Sequence, residues 1–217
     1  MNSNQVLYDR QDVKNASPMA DDNGPTIVGV VLAGGTSSRF GQANKLTAEV
    51  DSKPIVLHAL KTLLDAPLDD VVVVVGYKAD DVKQSLADYP VHFARNLAYT
   101  DGLSTSVARG VRAARDSDAI VFLPGDMPDV DPETVELLID AYRGELGSAV
   151  AAAYQGYRGN PVLFDESHFD ALRNINGDTG GRSVFLEATD GVLVETDDSG
   201  VRRDIDTRME LRHRRES

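Results

Sequence analysis

Five consecutive valines at positions 71–75 constrain this chain more than any other feature. A strand with one face in water alternates apolar and polar residues. An unbroken β-branched run suits a strand covered on both faces, as in a parallel sheet flanked by helices. Similar runs occupy 26–32 and 119–123, with a shorter one at 91–93. Helical patterns fall between them. Pro54 opens a helix with an apolar face of Val56, Leu57, Leu60, Leu63 and Leu64, and residues 80–87 make a short one. Leu103, Val107, Val111 and Ala114 repeat at helical spacing over 103–115, and Pro132 starts a helix over 132–142. Strand–helix alternation predicts βαβ units with right-handed crossovers, hence a single α/β domain of three layers around a mostly parallel sheet. Ligands of such sheets sit beyond the carboxyl ends of the strands. That rule selects the loop after residue 32, the segment from Asn96 and the segment from Pro124.

At 217 residues the chain can bury a sizeable core, and no linker or internal repeat divides it. Residues 1–25 are polar and aperiodic and read as a disordered leader, with the domain over 26–217. No run approaches the ~18–20 apolar residues of a membrane span, and no basic-then-apolar signal pattern opens the chain. The absence of cysteine removes disulfides, thiolate catalysis and cysteine-based zinc sites. A cytoplasmic protein with no membrane partner is the expectation. A formal net charge of −13 argues against nucleic acid as a partner. Asp outnumbers Glu by 26 to 9 and Arg outnumbers Lys by 16 to 6. A hydrated carboxylate surface suited to a salt-rich cytoplasm and an ordinary acidic enzyme both fit. In either case an anionic ligand must be drawn in by local cations and metal.

The first apolar run stops at Leu32-Ala33-Gly34-Gly35-Thr36-Ser37-Ser38-Arg39-Phe40-Gly41, and Lys45 follows. Paired glycines allow a tight turn and close backbone approach to a ligand, and successive amide N–H groups in such a turn form an anion-binding concavity. Arg39 offers a planar fork and Lys45 a point charge, both suited to phosphate oxygens. Neither common phosphate loop is present. Gln42 stands where a Walker loop needs lysine, and Thr36 where the dinucleotide fingerprint needs its second glycine.

The run 119–123 leads into Pro124-Gly125-Asp126-Met127-Pro128-Asp129. A lone Asp after a strand is commonly a turn former or helix cap, but Asp131 already supplies a cap for the helix from Pro132. Asp126 is therefore spared that role, on a rigid turn at the same sheet edge as the glycine loop. A hard carboxylate oxygen there suits Mg²⁺, which bridges phosphate oxygens.

L-A-G-G-x-S-x-R-x-G-x(3)-K is similar to the signature loop of the molybdenum-cofactor nucleotidyltransferases, within the wider group of nucleoside-triphosphate-dependent transferases with a Rossmann-like, GT-A type fold. G-D-x-P at 125–128 resembles the metal-binding aspartate motif of that family. The resemblance covers about residues 26–211. It implies that residues 32–37 wrap the triphosphate, that Arg39 and Lys45 sit on its charge, and that Asp126 holds Mg²⁺ or Mn²⁺.

Further segments extend it. Asn96 through Gly102, Ser104 and Ser106 is similar to the family's N-x(5)-G-x-S-x-S stretch near the base and ribose, although both serines could equally cap the helix at 103. Gly159-Asn160-Pro161-Val162-Leu163-Phe164 resembles the G-x-P-V-L-F segment that lines the acceptor pocket in cytidylyl-type members, with Asn160 in place of the usual histidine. Asn176-Gly177-Asp178-Thr179-Gly180-Gly181-Arg182 matches a G-D-x-G-[AG]-R loop placed against the pterin and its phosphate. Read on its own it is either an anion site at a helix start or a capping turn. Asp204 and Asp206 alternate onto one face of a short strand, and Asp206 matches the second metal ligand, although the proline and one acidic residue that usually follow are missing. The four histidines have no ligand spacing.

The resemblance implies transfer of a nucleoside monophosphate from CTP or GTP to molybdopterin or its metal-loaded form, with a molybdoenzyme or chaperone receiving the product. The downstream segments favour CTP, whereas Gly34 is usual in guanylyl-type members. A sugar- or polyol-phosphate nucleotidyltransferase and a non-catalytic nucleotide-binding regulator stay open as alternatives.

Overall fold

The computed structural model describes residues 5–16, 24–37, 40 and 44–216. The valine run forms β5 (Asp70–Val75), with Val71, Val73 and Val75 in one apolar core and Val72 and Val74 in another. Period-two alternation thus divides one apolar sequence between two buried faces. The same division holds for β2 (Ile27–Ala33) and β7 (Ala119–Pro124), which flank each other in parallel, with β5 on the far side of β2 and β6 (His92–Arg95) beyond it.

Helices cover both faces. On one side lie α2 (Ile55–Leu64), α3 (Ala79–Ser85) and α5 (Pro132–Arg143); on the other lie α4 (Leu103–Ala113), α6 (Phe169–Asn174) and α7 (Arg182–Glu187). The fold is therefore the expected three-layer α/β domain with a mostly parallel central sheet. A two-stranded ribbon, β3 (Glu49–Val50) with β4 (Lys53–Pro54), leads into α2.

The second half departs from the sequence reading. Residues 149–154, with alanine at four positions, form β8 (Ala149–Tyr154), buried between β10 (Gly191–Glu195) and β9 (Tyr157–Asp165). β9 runs antiparallel to both β8 and β7, and the remaining strands of the sheet share one direction. The leader reading also needs correction. Residues 6–16, placed above in a disordered segment, form β1 (Val6–Tyr8) and α1 (Arg10–Ala16). β1 adds to the sheet edge beside β10, and Val13 of α1 is fully buried in the core. Such a three-residue strand carries no periodic signal, and its stability comes from a partner about 185 residues away in the chain. The short strand expected around Asp204 and Asp206 does not form. That segment is irregular, anchored by the buried Ile205, whose N–H donates to Asp126 O at 2.9 Å. A final helix, α8 (Arg208–Glu216), follows. No helix among the described residues is long and apolar enough to cross a membrane.

Candidate active site

Three remote segments meet beyond the carboxyl ends of β2 and β7. Lys45 opens a 3₁₀ turn, and its Nζ lies 2.7 Å from Asp126 Oδ2 and 2.7 Å from Asp206 Oδ1. Burial acts to depress the Lys45 pKa, but the two carboxylates outweigh it and hold the ammonium above its ordinary value. The loop carrying it is tied at both ends. Asn44 is buried, accepts from Leu46 N at 3.0 Å through its side-chain oxygen, and donates Nδ2 to Tyr77 O at 3.1 Å. Ser37 Oγ accepts from Lys45 N at 3.1 Å. Asn44 thus fixes where Lys45 points, a role that the loop signature does not show.

Asp204 joins the two carboxylates. One oxygen from each of Asp126, Asp204 and Asp206 can be chosen so that all lie within 4.8 Å of one another. Burial, then the like charges of Asp126 and Asp206, raise the Asp204 pKa. Three converging carboxylates with one ammonium between two of them form a hard oxygen donor set with excess negative charge, which fits a divalent cation. Above, Asp204 appears only as sharing a strand face with Asp206. What brings both to Asp126 is the Ile205 hydrogen bond, invisible in the sequence.

Of the other residues singled out above, Leu32, Gly35, Thr36 and Ser37 line a cleft of about 250 Å³ together with Lys45, Asp126 and Asp206. Arg39 lies outside the described residues. Ala33 is buried in the core beneath the loop. Gly34 packs its Cα against α4, where a Cβ would overlap Ser106 Oγ, while Gly76, at the end of β5, lies against the Gly34 carbonyl. Asn96 is also buried. Its Nδ2 donates to Thr105 Oγ1 at 2.9 Å and Ser106 Oγ at 3.0 Å, and its Oδ1 accepts from Ala98 N at 3.0 Å, so it clamps the start of α4 under the loop.

The Gly177–Asp178 turn caps α4 and not the helix that follows it. Asp178 Oδ1 accepts from Leu103 N at 3.2 Å, and Gly177 O accepts from the backbone N–H of the buried Ser104 at 3.0 Å. Gly102, at φ +105°, meets the same turn so closely that a Cβ would lie 2.6 Å from Gly177 O. The cap residue of α4 is Gly102 and neither serine, and Ser106 Oγ accepts instead from Asn96 Nδ2.

A second cavity, of about 630 Å³, shares Leu32, Leu103 and Pro124 with the first and holds Asp178, Gly180, Asn160 and Asp204. Gly159 and Asn160 also line a third, of about 810 Å³. Pro161, after a cis Asn160–Pro161 peptide, is buried in β9. The second cavity shares residues with both of the others, so the three adjoin as one trough.

Known proteins resemble this chain over most of its length. The chain is 31% identical over 196 residues to purine catabolism protein PucB of Bacillus subtilis, covering 84% of this chain and 93% of that one. It is 28% identical over 197 residues to nicotine blue oxidoreductase of Paenarthrobacter nicotinovorans, covering 87% and 96%. A nucleotidyl transferase of Methanothermobacter thermautotroptrophicus superposes with a TM-score of 0.75 at 26% identity, over 89% of this chain and 97% of that one. Residues 29–192, which carry the glycine loop, Asp126 and strands β8 and β9, match the MobA-like NTP transferase domain, and the chain belongs to that family.

Proposed function

We propose that the protein transfers a nucleoside monophosphate, CMP from CTP, to the terminal phosphate of molybdopterin and releases pyrophosphate. One observation carries this reading: Lys45 of the glycine loop sits 2.7 Å from both Asp126 and Asp206, which come from segments far apart in the chain. An oxygen of the acceptor phosphate attacks the α-phosphorus. The new P–O bond forms as the bond to the bridging oxygen of the β-phosphate breaks, and pyrophosphate leaves with that electron pair.

Phosphoryl chemistry of this kind needs mainly positioning and charge neutralisation. The open space beside Gly35 and the amides through Ser37 suit the triphosphate, and Lys45 supplies a fixed positive charge. Asp126, Asp204 and Asp206 would hold a divalent cation, Mg²⁺ or Mn²⁺, which when bound would supply positive charge to neutralise the phosphates. Gly159, Asn160, Asp178 and Gly180, from the segments resembling cytidylyl-type members, line the cavities beyond the phosphate cleft, which supports CTP and a pterin acceptor. Gly34, the residue pointing toward GTP, has a local steric reason in Ser106.

Pyrophosphate release with CTP or GTP, Mg²⁺ and molybdopterin tests the assignment. Turnover should favour CTP, and Asp126→Asn or Lys45→Met should lower kcat by about 10²–10³, the usual loss for one preorganised electrostatic group. Near-full turnover by Asp126→Asn at saturating Mg²⁺ would remove that residue from the reaction. Nucleotide binding without pyrophosphate release would make the protein a regulator, and turnover of a sugar 1-phosphate in place of molybdopterin would change the acceptor.

A further inference from the structure

The last helix, α8, lies outside residues 29–192, the part of the chain that matches the family. Arg208 opens it, where the motif around Asp206 usually carries proline. The helix is fastened to the site along its length. Glu210 Oε2 accepts from Asp206 N and from Thr207 N, both at 2.8 Å, and Thr207 Oγ1 accepts in return from Glu210 N at 3.2 Å. This is a capping box extended back by one residue. It fixes the backbone of the carboxylate that pairs with Lys45. Further along, Leu211 is buried and Arg214 Nε donates to Asp129 Oδ1 at 2.8 Å.

From this fixed frame Arg208 reaches the glycine loop. Its Nε donates to Phe40 O at 3.3 Å, and its Cζ lies 5.7 Å from the Phe40 ring centroid. Phe40 is buried, and its N–H donates to Ser37 O at 2.9 Å, so a hold on Phe40 is a hold on the turn that follows Thr36. The loop and the 206–208 segment are therefore joined twice, by Lys45 Nζ on Asp206 Oδ1 at 2.7 Å and by Arg208 on Phe40.

The two joints differ in what competes for them. A triphosphate draws on the Lys45 ammonium, and a divalent cation on the Asp206 carboxylate, so the first joint weakens as ligands bind. The second is made to a backbone carbonyl and a ring face, which neither ligand takes up. We infer that Arg208 is a positioning residue, which keeps the glycine loop against the cation site once the Lys45–Asp206 pair is given over to ligand. Naming that ligand a nucleoside triphosphate rests on the nucleotidyl-transfer reading; the joint between loop and helix does not.

The test compares Arg208→Pro, Arg208→Ala and Arg208→Lys with wild type. Proline is favoured at the first helical position, so it removes the joint and keeps α8. Calorimetric titration should give a Kd for Mg·CTP raised about tenfold in the Pro and Ala variants, the combined worth of one cation–π contact and one hydrogen bond. Their Tm without Mg·CTP should stay near that of wild type, while the rise produced by a fixed Mg·CTP concentration shrinks. Arg208→Lys, which keeps a charge over the ring, should recover part of the affinity. In turnover KM for CTP should rise with kcat changed by less than about twofold, the mark of lost binding and not of lost chemistry. A Tm lowered equally with and without Mg·CTP, at unchanged Kd, would make Arg208 a helix residue alone and overturn the inference. Full affinity in both the Pro and Ala variants would overturn it too. Mg·tripolyphosphate separates the two readings. Arg208-dependent binding of that probe, by a wild type that releases no pyrophosphate from CTP, would support the joint while sinking nucleotidyl transfer, and a protein that binds neither probe would sink both.

Discussion

Gly34 shows how tightly the phosphate loop is seated. A Cβ there would overlap Ser106 Oγ, which is itself held by Asn96 Nδ2 at 3.0 Å, and the Ser106 Cβ would lie 3.5 Å away, an ordinary contact. Gly34→Ala should therefore force the loop off α4, at about 1–3 kcal/mol of stability, and weaken nucleotide binding. Ser106→Ala alone should cost about 1 kcal/mol through the lost hydrogen bond. With Ser106→Ala already in place the alanine at 34 fits, so the double variant should be more stable than the sum of the single losses predicts. Chemical denaturation of the four proteins measures this, and strict additivity would show that the hydroxyl is not what excludes the side chain. The need for glycine was legible in the sequence because an apolar strand ending in paired glycines implies close backbone approach. The partner was not legible. Ser106 and Asn96 read as ligand contacts or caps, and only the packing of α4 turns them into the floor of the loop. Gly76 carried no signal at all, since its reason is the Gly34 carbonyl pressed against it.

Between elements, the carboxyl-edge half was readable and the β8–β9–β10 half less so, for physical reasons. The strands β2, β5 and β7 are apolar on both faces, so they stand out before any partner is known. β8 is largely alanine, a helix former by intrinsic propensity, and becomes a strand because β9 and β10 pair with its two edges and its side chains are buried in the sheet. Its start is fastened by side chains outside the sheet. Asp190, just before β10, accepts from Ser148 Oγ at 2.8 Å and Ser148 N at 3.0 Å, and Ser148 Oγ lies 2.7 Å from His168 Nε2. Burial alone would raise the Asp190 pKa, but the Ser148 hydrogen bonds outweigh it and hold the carboxyl below its ordinary value. A carboxyl depressed on folding contributes stability in full above its unfolded pKa of about 3.9 and loses it as pH falls through the folded value. Asp190→Asn should thus be less stable than wild type at pH 7, and the gap in Tm should close as pH drops below about 4. A gap that stays constant from pH 7 to pH 3 would mean the fastening is not electrostatic.

For the molecule as a whole, the surplus of Asp over Glu has a structural use that composition alone leaves open. Asp69, Asp118, Asp178, Asp190 and Asp198 accept backbone N–H groups from residues remote in the chain, and their short side chains reach them without long-chain entropy. The same surplus creates a problem at the site. One ammonium, Lys45, faces three carboxylates in a chain already at net −13, so the described side chains at that centre repel a triphosphate. A divalent cation resolves both conflicts, and its binding should therefore be measurable without nucleotide. A cation that binds the folded state alone stabilises it by about 2.7 kcal/mol at a hundredfold excess over Kd. For a chain of this length that amounts to roughly 5–10 °C in Tm. Mg²⁺ or Mn²⁺ should raise the wild-type Tm by this order at constant ionic strength, set with NaCl, and Asp126→Asn should abolish most of the rise. Diffuse screening of the net charge predicts something different: a rise that survives Asp126→Asn and is matched by NaCl of equal ionic strength. A saturable, Asp126-dependent shift therefore separates a built centre from a merely acidic surface, and its absence would mean that the three carboxylates hold no divalent cation.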